Sequence, residues 1–430
     1  MTDPTRLPAT RLAEAIAARE LSSQEVVEAY LRRIEAVDPR VNAVVQVDGD
    51  RALAAAREAD ATSAPPGPLH GVPFTVKDNL EAAGLEMAIG AEERVGTIPA
   101  ADATVVARMR AAGAILLGKT NCPEYGGGIE TDNAVYGRTN NPYDLDRTPG
   151  GSSGGEAAAI AAGCSPCGLG TDSGASVRLP AHFCGLAALK PTSGRVPVTG
   201  VIDDLGQIGA LGDPRTQVGI LARSARDVAL ILELVSGPDG ADGGVPPVPL
   251  RAPDAADLPG LRVAVQTDNG LDTPTPETVA AIEAAAQALA TAGALVEPAI
   301  PPGGGHELTI DVWRSYGDAS DLYDILRRWD AYRSEMLAWF AAYDLVLCPV
   351  FPDPARAHGD MNRPGERDPT SYTTPYSLTG WPAATVSGGT SPEGLPIGVQ
   401  LVARPWRDDV ALAAAEEIER AHGGWRPPPL

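Results

Sequence analysis

Two short glycine-rich stretches hold the residues best able to do chemistry. The first is Thr148-Pro149-Gly150-Gly151-Ser152-Ser153-Gly154-Gly155-Glu156, and the second is Gly170-Thr171-Asp172-Ser173-Gly174-Ala175-Ser176-Val177-Arg178-Leu179-Pro180. Consecutive glycines let a backbone turn tightly and approach a ligand without side-chain obstruction. Three chemistries compete for the first stretch. A phosphate-binding loop needs Lys followed by Ser or Thr after its glycines, and Glu156 stands there instead. Gly150-Gly151-Ser152-Ser153-Gly154 fits the G-x-S-x-G elbow of a serine nucleophile, with His182, His306, His358 and His422 available downstream. An elbow follows a buried strand directly, however, and Asn140 to Pro149 reads as a polar loop. The third chemistry draws in the second stretch, where Ser176 ends a run of small residues. Their backbone N–H groups can converge on a point where negative charge develops.

Placed with Lys77 and Ser152, that run makes a nucleophilic site without histidine conceivable. Lysine in water has a pKa near ~10.4 and is a poor base at neutral pH, but burial disfavours the ammonium and can lower it by several units. A neutral Lys77 could take a proton from Ser152, which relays it from Ser176 as the latter attacks. Reversed, the same relay would protonate a leaving nitrogen. Taken singly, Lys77 reads as a lysine capping a strand, Ser152 as a loop serine and Ser176 as a helix N-cap. Only their order and company give them a chemical reading.

The elements around these residues alternate. Thr10 can cap a first short helix, and Ser22 with Glu25 forms a capping box that opens a second, running roughly to Val37. Val26, Val27, Tyr30, Leu31 and Ile34 fall on one face of it, which should pack on a core. An Ala-rich helix covers roughly Asp50 to Asp60. Gly71 to Lys77 reads as a buried strand with Lys77 at its end. Ala103 to Ala112 reads as a helix, and Ala114 to Leu117 as a strand running into Gly118-Lys119-Thr120. Strands alternating with helices imply an α/β fold with a largely parallel or mixed sheet. Residues 236–261, rich in Pro, Gly and Asp, read as a surface excursion. Beyond it, Leu261 to Gln266, Asp344 to Val350 and Pro396 to Val402 read as strands and Pro276 to Ala292 as a helix. The chain is read as one domain over 1–430: a helical region to about 65, a core over about 66–235 and a C-terminal subregion over about 260–430.

Composition narrows the classes. The chain has 430 residues, 44% hydrophobic and 21% charged, as in an ordinary soluble globular protein. Its formal charge of −22 repels phosphate backbones and anionic lipid, which argues against nucleic acid or a membrane surface as partner. No apolar run is long enough to span a bilayer. Met1 to Pro8 lacks a basic start and an apolar stretch, so no signal peptide and a cytoplasmic location are expected. Five cysteines (Cys122, Cys164, Cys167, Cys184 and Cys348) make a poor disulfide framework. Cys164-Ser165-Pro166-Cys167 has zinc spacing without a second ligand pair, so these thiols are read as structural and no metal is expected.

Over Leu69-His70-Gly71-Val72-Pro73, Val76-Lys77-Asp78-Asn79, Gly118-Lys119-Thr120-Asn121, Arg147 to Glu156, Ala181-His182-Phe183-Cys184-Gly185 and Lys190-Pro191, the sequence resembles the amidase signature family. Weaker matches fall at Thr379-Gly380-Trp381-Pro382-Ala383 and Gly394 to Gln400, so nearly the whole chain is covered. The resemblance implies a central mixed, twisted β-sheet flanked by helices on both sides. It implies a serine amidohydrolase working through an acyl-enzyme, with no cofactor. The family's catalytic lysine falls on Lys77, its relay serine, preceded by a cis peptide bond, on Ser152, and its nucleophile on Ser176. Its oxyanion donors fall on the backbone of Ser173, Gly174, Ala175 and Ser176, and a backbone contact lining the pocket falls near Gly126. Ala175 stands where many members have a second glycine, and Ser173 where an aliphatic residue is common.

Asp172 and Arg178 are expected to pair and brace the nucleophile loop, and Arg195 could touch either substrate or a loop carboxylate. Candidate pocket walls are Val201 to Asp213 and an aromatic helix carrying Trp313, Tyr316, Tyr323 and Trp329, although aromatics on such a helix are more often core than pocket. An apolar wall would favour aryl or alkyl amides over free glutamine, and carbamates (urethanes) present the same carbonyl-to-nitrogen bond. Two other readings stay open: a glutaminase component of an amidotransferase, which would need partner chains, and a catalytically inactive binding protein of the same fold. Oligomeric state is not legible, and a homodimer is compatible with the sequence.

Overall fold

The computed structural model describes residues 3–62, 67–202, 213–253, 256, 258–315, 319–361 and 369–430. Eleven strands form one sheet: β1 (Val44–Val47), β2 (Pro73–Lys77), β3 (Ile115–Thr120), β4 (Cys167–Asp172), β5 (Ala187–Lys190), β6 (Gln217–Ala222), β7 (Arg262–Val265), β8 (Leu295–Pro298), β9 (Leu345–Pro349), β10 (Ala383–Thr390) and β11 (Pro396–Ala403). Their order is β1-β3-β2-β4-β6-β5-β10-β11-β9-β7-β8. β3, β2 and β4 are mutually parallel, as are β9, β7 and β8, and an antiparallel block of β4, β6, β5, β10, β11 and β9 joins the two ends. The sheet is therefore mixed. Beyond the Pro- and Gly-rich excursion the chain rejoins it, because β7 pairs with β9.

Helices cover both faces, and the period of two along β11 shows how. Ile397, Val399 and Leu401 join the main apolar core with Ala281, Ile282 and Ala285 of the helix Pro276–Thr291. Between them, Gly398 and Gln400 face the helix Arg178–Cys184: a Cβ on Gly398 would meet His182 at 2.8 Å, and Arg178 Nη1 donates to Gln400 Oε1 at 2.9 Å. Successive strand residues point to opposite faces, so these two helices lie on opposite sides of the sheet. The same alternation sorts β2. Phe74 and Val76 enter the main core, whereas Thr75 and Lys77 turn to the other side, toward Glu156 and Ser152.

Several boundaries follow from local chemistry. The capping box at Ser22 forms in full, with Glu25 N donating to Ser22 Oγ at 3.1 Å and Ser22 N to Glu25 Oε2 at 2.8 Å. The helix it opens runs past Val37 to Val41 and ends on Asn42 in the left-handed conformation. Thr10 does not cap the first helix. That helix, Ala9–Ala17, follows Pro8, and Asp227 from a distant helix accepts from the N–H groups of Ala9 and Thr10 at 3.1 and 2.8 Å. A tertiary carboxylate thus replaces the local hydroxyl at its positive end. The expected aromatic helix is two helices, Gly305–Ser315 and Leu322–Phe340. Among the described residues no helix is long and apolar enough to cross a membrane.

Candidate active site

Lys77 ends β2 at the centre of the parallel block and has no exposed surface. Its Nζ donates to Ser152 Oγ at 2.6 Å and to Thr171 Oγ1, on the neighbouring β4, at 2.8 Å. Burial pulls its pKa from 10.5 down to about 8, against weaker pulls upward from Cys122 and Asp172. The side chain is therefore poised to lose a proton near neutrality. Ser152 is 2% exposed, and the Gly151–Ser152 peptide is cis. Gly126 comes close to both groups: a Cβ there would stand 3.6 Å from Lys77 Nζ and 3.7 Å from Ser152 Oγ. Its φ of +71° is a conformation that favours glycine.

Ser176 is held beside Ser152 through the backbone, because Ser153 N donates to the Ser176 carbonyl at 3.0 Å. The residue is half-buried, and among the described residues its hydroxyl has no hydrogen bond. The backbone N–H groups of Ser173, Gly174, Ala175 and Ser176 likewise donate to nothing among the described residues. Gly174 and Ala175 are buried. Buried N–H groups are nearly always paired, so the open donors of Gly174 and Ala175, flanked by those of two half-buried serines, could serve an acceptor.

The loop keeps its shape through Asp172 and Arg178, both fully buried. Arg178 Nη2 donates to Asp172 Oδ1 at 2.8 Å and Nε to Oδ2 at 3.0 Å, and Oδ2 also accepts from Val177 N at 3.0 Å. Arg178 Nη2 reaches the Gly174 carbonyl at 2.8 Å, fixing the middle of the loop from below. Burial opposes ionisation of Asp172, but the guanidinium prevails and holds its carboxyl below the usual range. This pairing is the one the sequence led us to expect.

Other expected residues are placed differently. Arg195 is buried on a different set of partners: it pairs with Asp408 Oδ2 at 3.3 Å, donates to the Val248 carbonyl at 2.8 Å and lies 4.8 Å over the Trp406 ring. Its guanidinium ties the excursion after residue 236 to the C-terminal helix, and of the two contacts open to it the described residues supply a carboxylate, that of Asp408. Trp329 is core, its Nε1 donating to the Leu378 carbonyl at 2.6 Å, and Tyr323 is 84% exposed. Tyr316 and residues 203–212 of the expected Val201 to Asp213 wall lie outside the described residues. Of these aromatics, Trp313 reaches the loop. A Cβ on Gly174 would meet its Cζ2 and Cη2 at 3.0 and 3.1 Å.

The elbow chemistry is overturned by Ser152's partner, which is a lysine. His182 is buried away from it, accepting from Gly398 N at 2.7 Å and pairing with the Asp353 carbonyl at 2.9 Å. All five cysteines are free and buried, and among the described residues no group of His, Cys, Asp and Glu could hold a metal ion. Two neighbours escaped sequence reasoning. Thr171 shares Lys77 Nζ with Ser152, and Glu156 accepts from the hydroxyls of Thr75 and Thr120, the latter at 2.7 Å. Burial pushes the Glu156 carboxyl up to about 8, keeping it protonated at pH 7. Nothing in the one-dimensional pattern separates Thr171 from its neighbours.

A buried lysine on a serine, next to a loop of open N–H donors with a second serine at its end, is an arrangement able to support nucleophilic catalysis. The amidase family profile matches residues 25–310 and 313–412. An acylamidase of Rhodococcus erythropolis is 34% identical over 464 residues, covering 96% of this chain and 95% of its own. A glutamyl-tRNA(Gln) amidotransferase subunit of Roseiflexus castenholzii is 33% identical over 488 residues, covering 98% and 96%. The structure of a 6-aminohexanoate cyclic dimer hydrolase with its substrate superposes with a TM-score of 0.84 at 30% identity, covering 98% of each chain. The chain belongs to the amidase signature family of amide-hydrolysing enzymes.

Proposed function

We propose that this enzyme hydrolyses the C–N bond of small aryl or alkyl amides, and of carbamates, through an acyl-enzyme on Ser176. The observation that carries the reading is the 2.6 Å contact between the wholly buried Lys77 amine and Ser152. Neutral Lys77 takes the Ser152 proton while Ser152 takes that of Ser176, and Ser176 Oγ bonds to the carbonyl carbon. The carbonyl oxygen gains negative charge at the N–H groups of residues 173–176, which are already oriented and need no reorganisation. The proton then returns from Lys77 through Ser152 to the nitrogen, the C–N bond breaks and the amine departs. Water repeats the sequence on the acyl-enzyme, restoring Ser176 and releasing the acid. Gly126 lines the wall beside Lys77 and Ser152, where even a Cβ would stand 3.6 and 3.7 Å from their Nζ and Oγ.

A glutaminase role is the second reading, supported by the similarity to a glutamyl-tRNA(Gln) amidotransferase. One panel separates the two: p-nitroacetanilide, benzamide, glutamine, an aryl carbamate and an aryl ester, each with wild type and Ser176→Ala. Cleavage of amide or carbamate that vanishes in Ser176→Ala is the expected result. Turnover of glutamine alone would move the assignment to the glutaminase. Turnover that survives in Ser176→Ala would refute the nucleophile.

A further inference from the structure

The loop of open N–H donors is held on its outer side by a chain of contacts that the reaction does not use. Ser173 Oγ and Thr216 Oγ1 lie 2.6 Å apart, and Thr216 Oγ1 donates to Asp213 Oδ2 at 2.6 Å, so Ser173 supplies the proton of the first bond. Asp213 also accepts from Arg215 Nε at 2.9 Å. The Arg215 guanidinium stands 5.7 Å from the centroid of the Trp313 ring, within the range of a cation–π contact. Trp313 in turn touches Gly174, which returns the chain to its start. Contacts thus run from Ser173 through Thr216, Asp213, Arg215 and Trp313 back to Gly174.

Trp313 is the one large flat surface in this ring, and it is half-buried rather than enclosed. Its helix does not rely on it for anchorage. Leu308 and Val312 are buried with Trp329, Tyr332 and Tyr376 in a separate apolar cluster. Gly174 has no side chain between the indole and the N–H groups, and any Cβ there would push the ring away. The position a Gly174 Cβ would take is 3.0 Å from the indole, so a substrate group that reaches that side of the loop would meet an aromatic edge. Aromatic groups gain from offset or edge-to-face contact beyond simple area burial.

Resting on the amidohydrolase reading above, we propose that Trp313 determines specificity, its indole forming the wall that selects a flat aromatic group on the acyl side of the substrate. The Asp213–Arg215 pair sets the indole's position and Ser173 couples it to the loop.

The test compares N-benzoyl and N-acetyl p-nitroanilide in wild type, Trp313→Ala and Trp313→Phe. The benzoyl-to-acetyl ratio of kcat/KM should fall on the order of tenfold in Trp313→Ala, mainly through KM, and recover most of that in Trp313→Phe. An unchanged ratio, with both substrates losing equally, would reduce Trp313 to a support of the loop and overturn the proposal. Inactivation by phenylmethanesulfonyl fluoride against methanesulfonyl fluoride asks the same question without an amide. The aryl preference should shrink in Trp313→Ala by a similar factor. If wild type cleaves neither anilide yet shows that shrinkage, the amide reading fails while the Trp313 assignment stands. If wild type neither cleaves an anilide nor is inactivated by either reagent, both fail.

Discussion

The lysine makes the sharpest demand on the chemistry. Lys77 must be neutral to accept a proton, so activity should follow its deprotonation and rise with pH. At an ordinary pKa of 10.5, about one molecule in 3,000 would carry the neutral amine at pH 7; at about 8, roughly one in ten does. For an uncharged anilide, kcat/KM should climb about tenfold between pH 7 and pH 9, with its midpoint near 8, and then level. Glu156 is also pushed up to about 8, so the rising limb has two candidate owners. Glu156→Gln separates them, because glutamine copies the neutral acid's hydrogen bonding and does not titrate. The midpoint should persist in Glu156→Gln. A limb that disappears there would assign it to the acid, and a profile flat from pH 6 to 9 would refute a titrating base altogether. The same burial has a cost in folding. Because the folded-state pKa lies below the unfolded value, stability rises with pH between about 8 and 10.5 and carries the full penalty below 8, roughly 3 kcal/mol at most. Lys77→Met should therefore abolish turnover yet raise Tm at pH 7, by less than that limit because Ser152 and Thr171 lose a partner. A lower Tm would mean that the lost contacts to Ser152 and Thr171 outweigh the burial penalty.

Three further outcomes follow from the site's supports. Asp172→Asn leaves Arg178 buried without its counter-ion and should lower stability by about 3–5 kcal/mol in urea unfolding, with loss of turnover as the loop relaxes. Arg195→Ala should lower Tm through loss of its contacts to Asp408 and the Val248 carbonyl, while kcat/KM below the transition stays within about twofold of wild type. Gly126→Ala places a methyl near Lys77 and Ser152 and asks alanine for φ of +71°, at about 1–2 kcal/mol of strain; kcat should fall at least tenfold, which steady-state assay would show.

Strands and helices with strong local signals were legible. The capping box at Ser22, the alternation Phe74-Thr75-Val76-Lys77 and the apolar runs of β9 and β11 each carry their own pattern. β4 was not legible as a strand, because Cys-Gly-Leu-Gly-Thr-Asp has glycines where a side chain would be expected. Those glycines answer a helix packed on that face: a Cβ on Gly168 would stand 1.8 Å from Glu156 Oε1. Thr10 failed as a cap for a related reason, since the competing carboxylate, Asp227, lies 217 residues away in sequence. At the proposed site, the family resemblance singled out Lys77, Ser152 and Ser176, and the structure brings the first two to 2.6 Å. Arg195 stayed open between substrate and a carboxylate, because nearness in sequence to Ser176 does not fix which neighbours its guanidinium meets.

Lys77 and Lys119 show what partners add to position. Both lysines lie in neighbouring parallel strands, β2 and β3, both are fully buried, and both have their pKa lowered by burial. Sequence alone cannot rank them as bases. Lys119 Nζ is set 3.1 Å from Asp78 Oδ1 and donates to the Asp78 carbonyl at 2.8 Å, so it has a counter-ion that favours its charged form. Lys77 Nζ meets two neutral hydroxyls. The nearby carboxylate that could have stabilised its charge, Asp172, is turned to Arg178, and the nearby Glu156 is kept neutral between two threonines. Neutral partners leave burial as the dominant influence on the amine, and one of those partners is the serine through which a proton can leave. Under the proposed mechanism, the direction of three carboxyl groups leaves Lys77 free to act as a base and gives Lys119 a counter-ion.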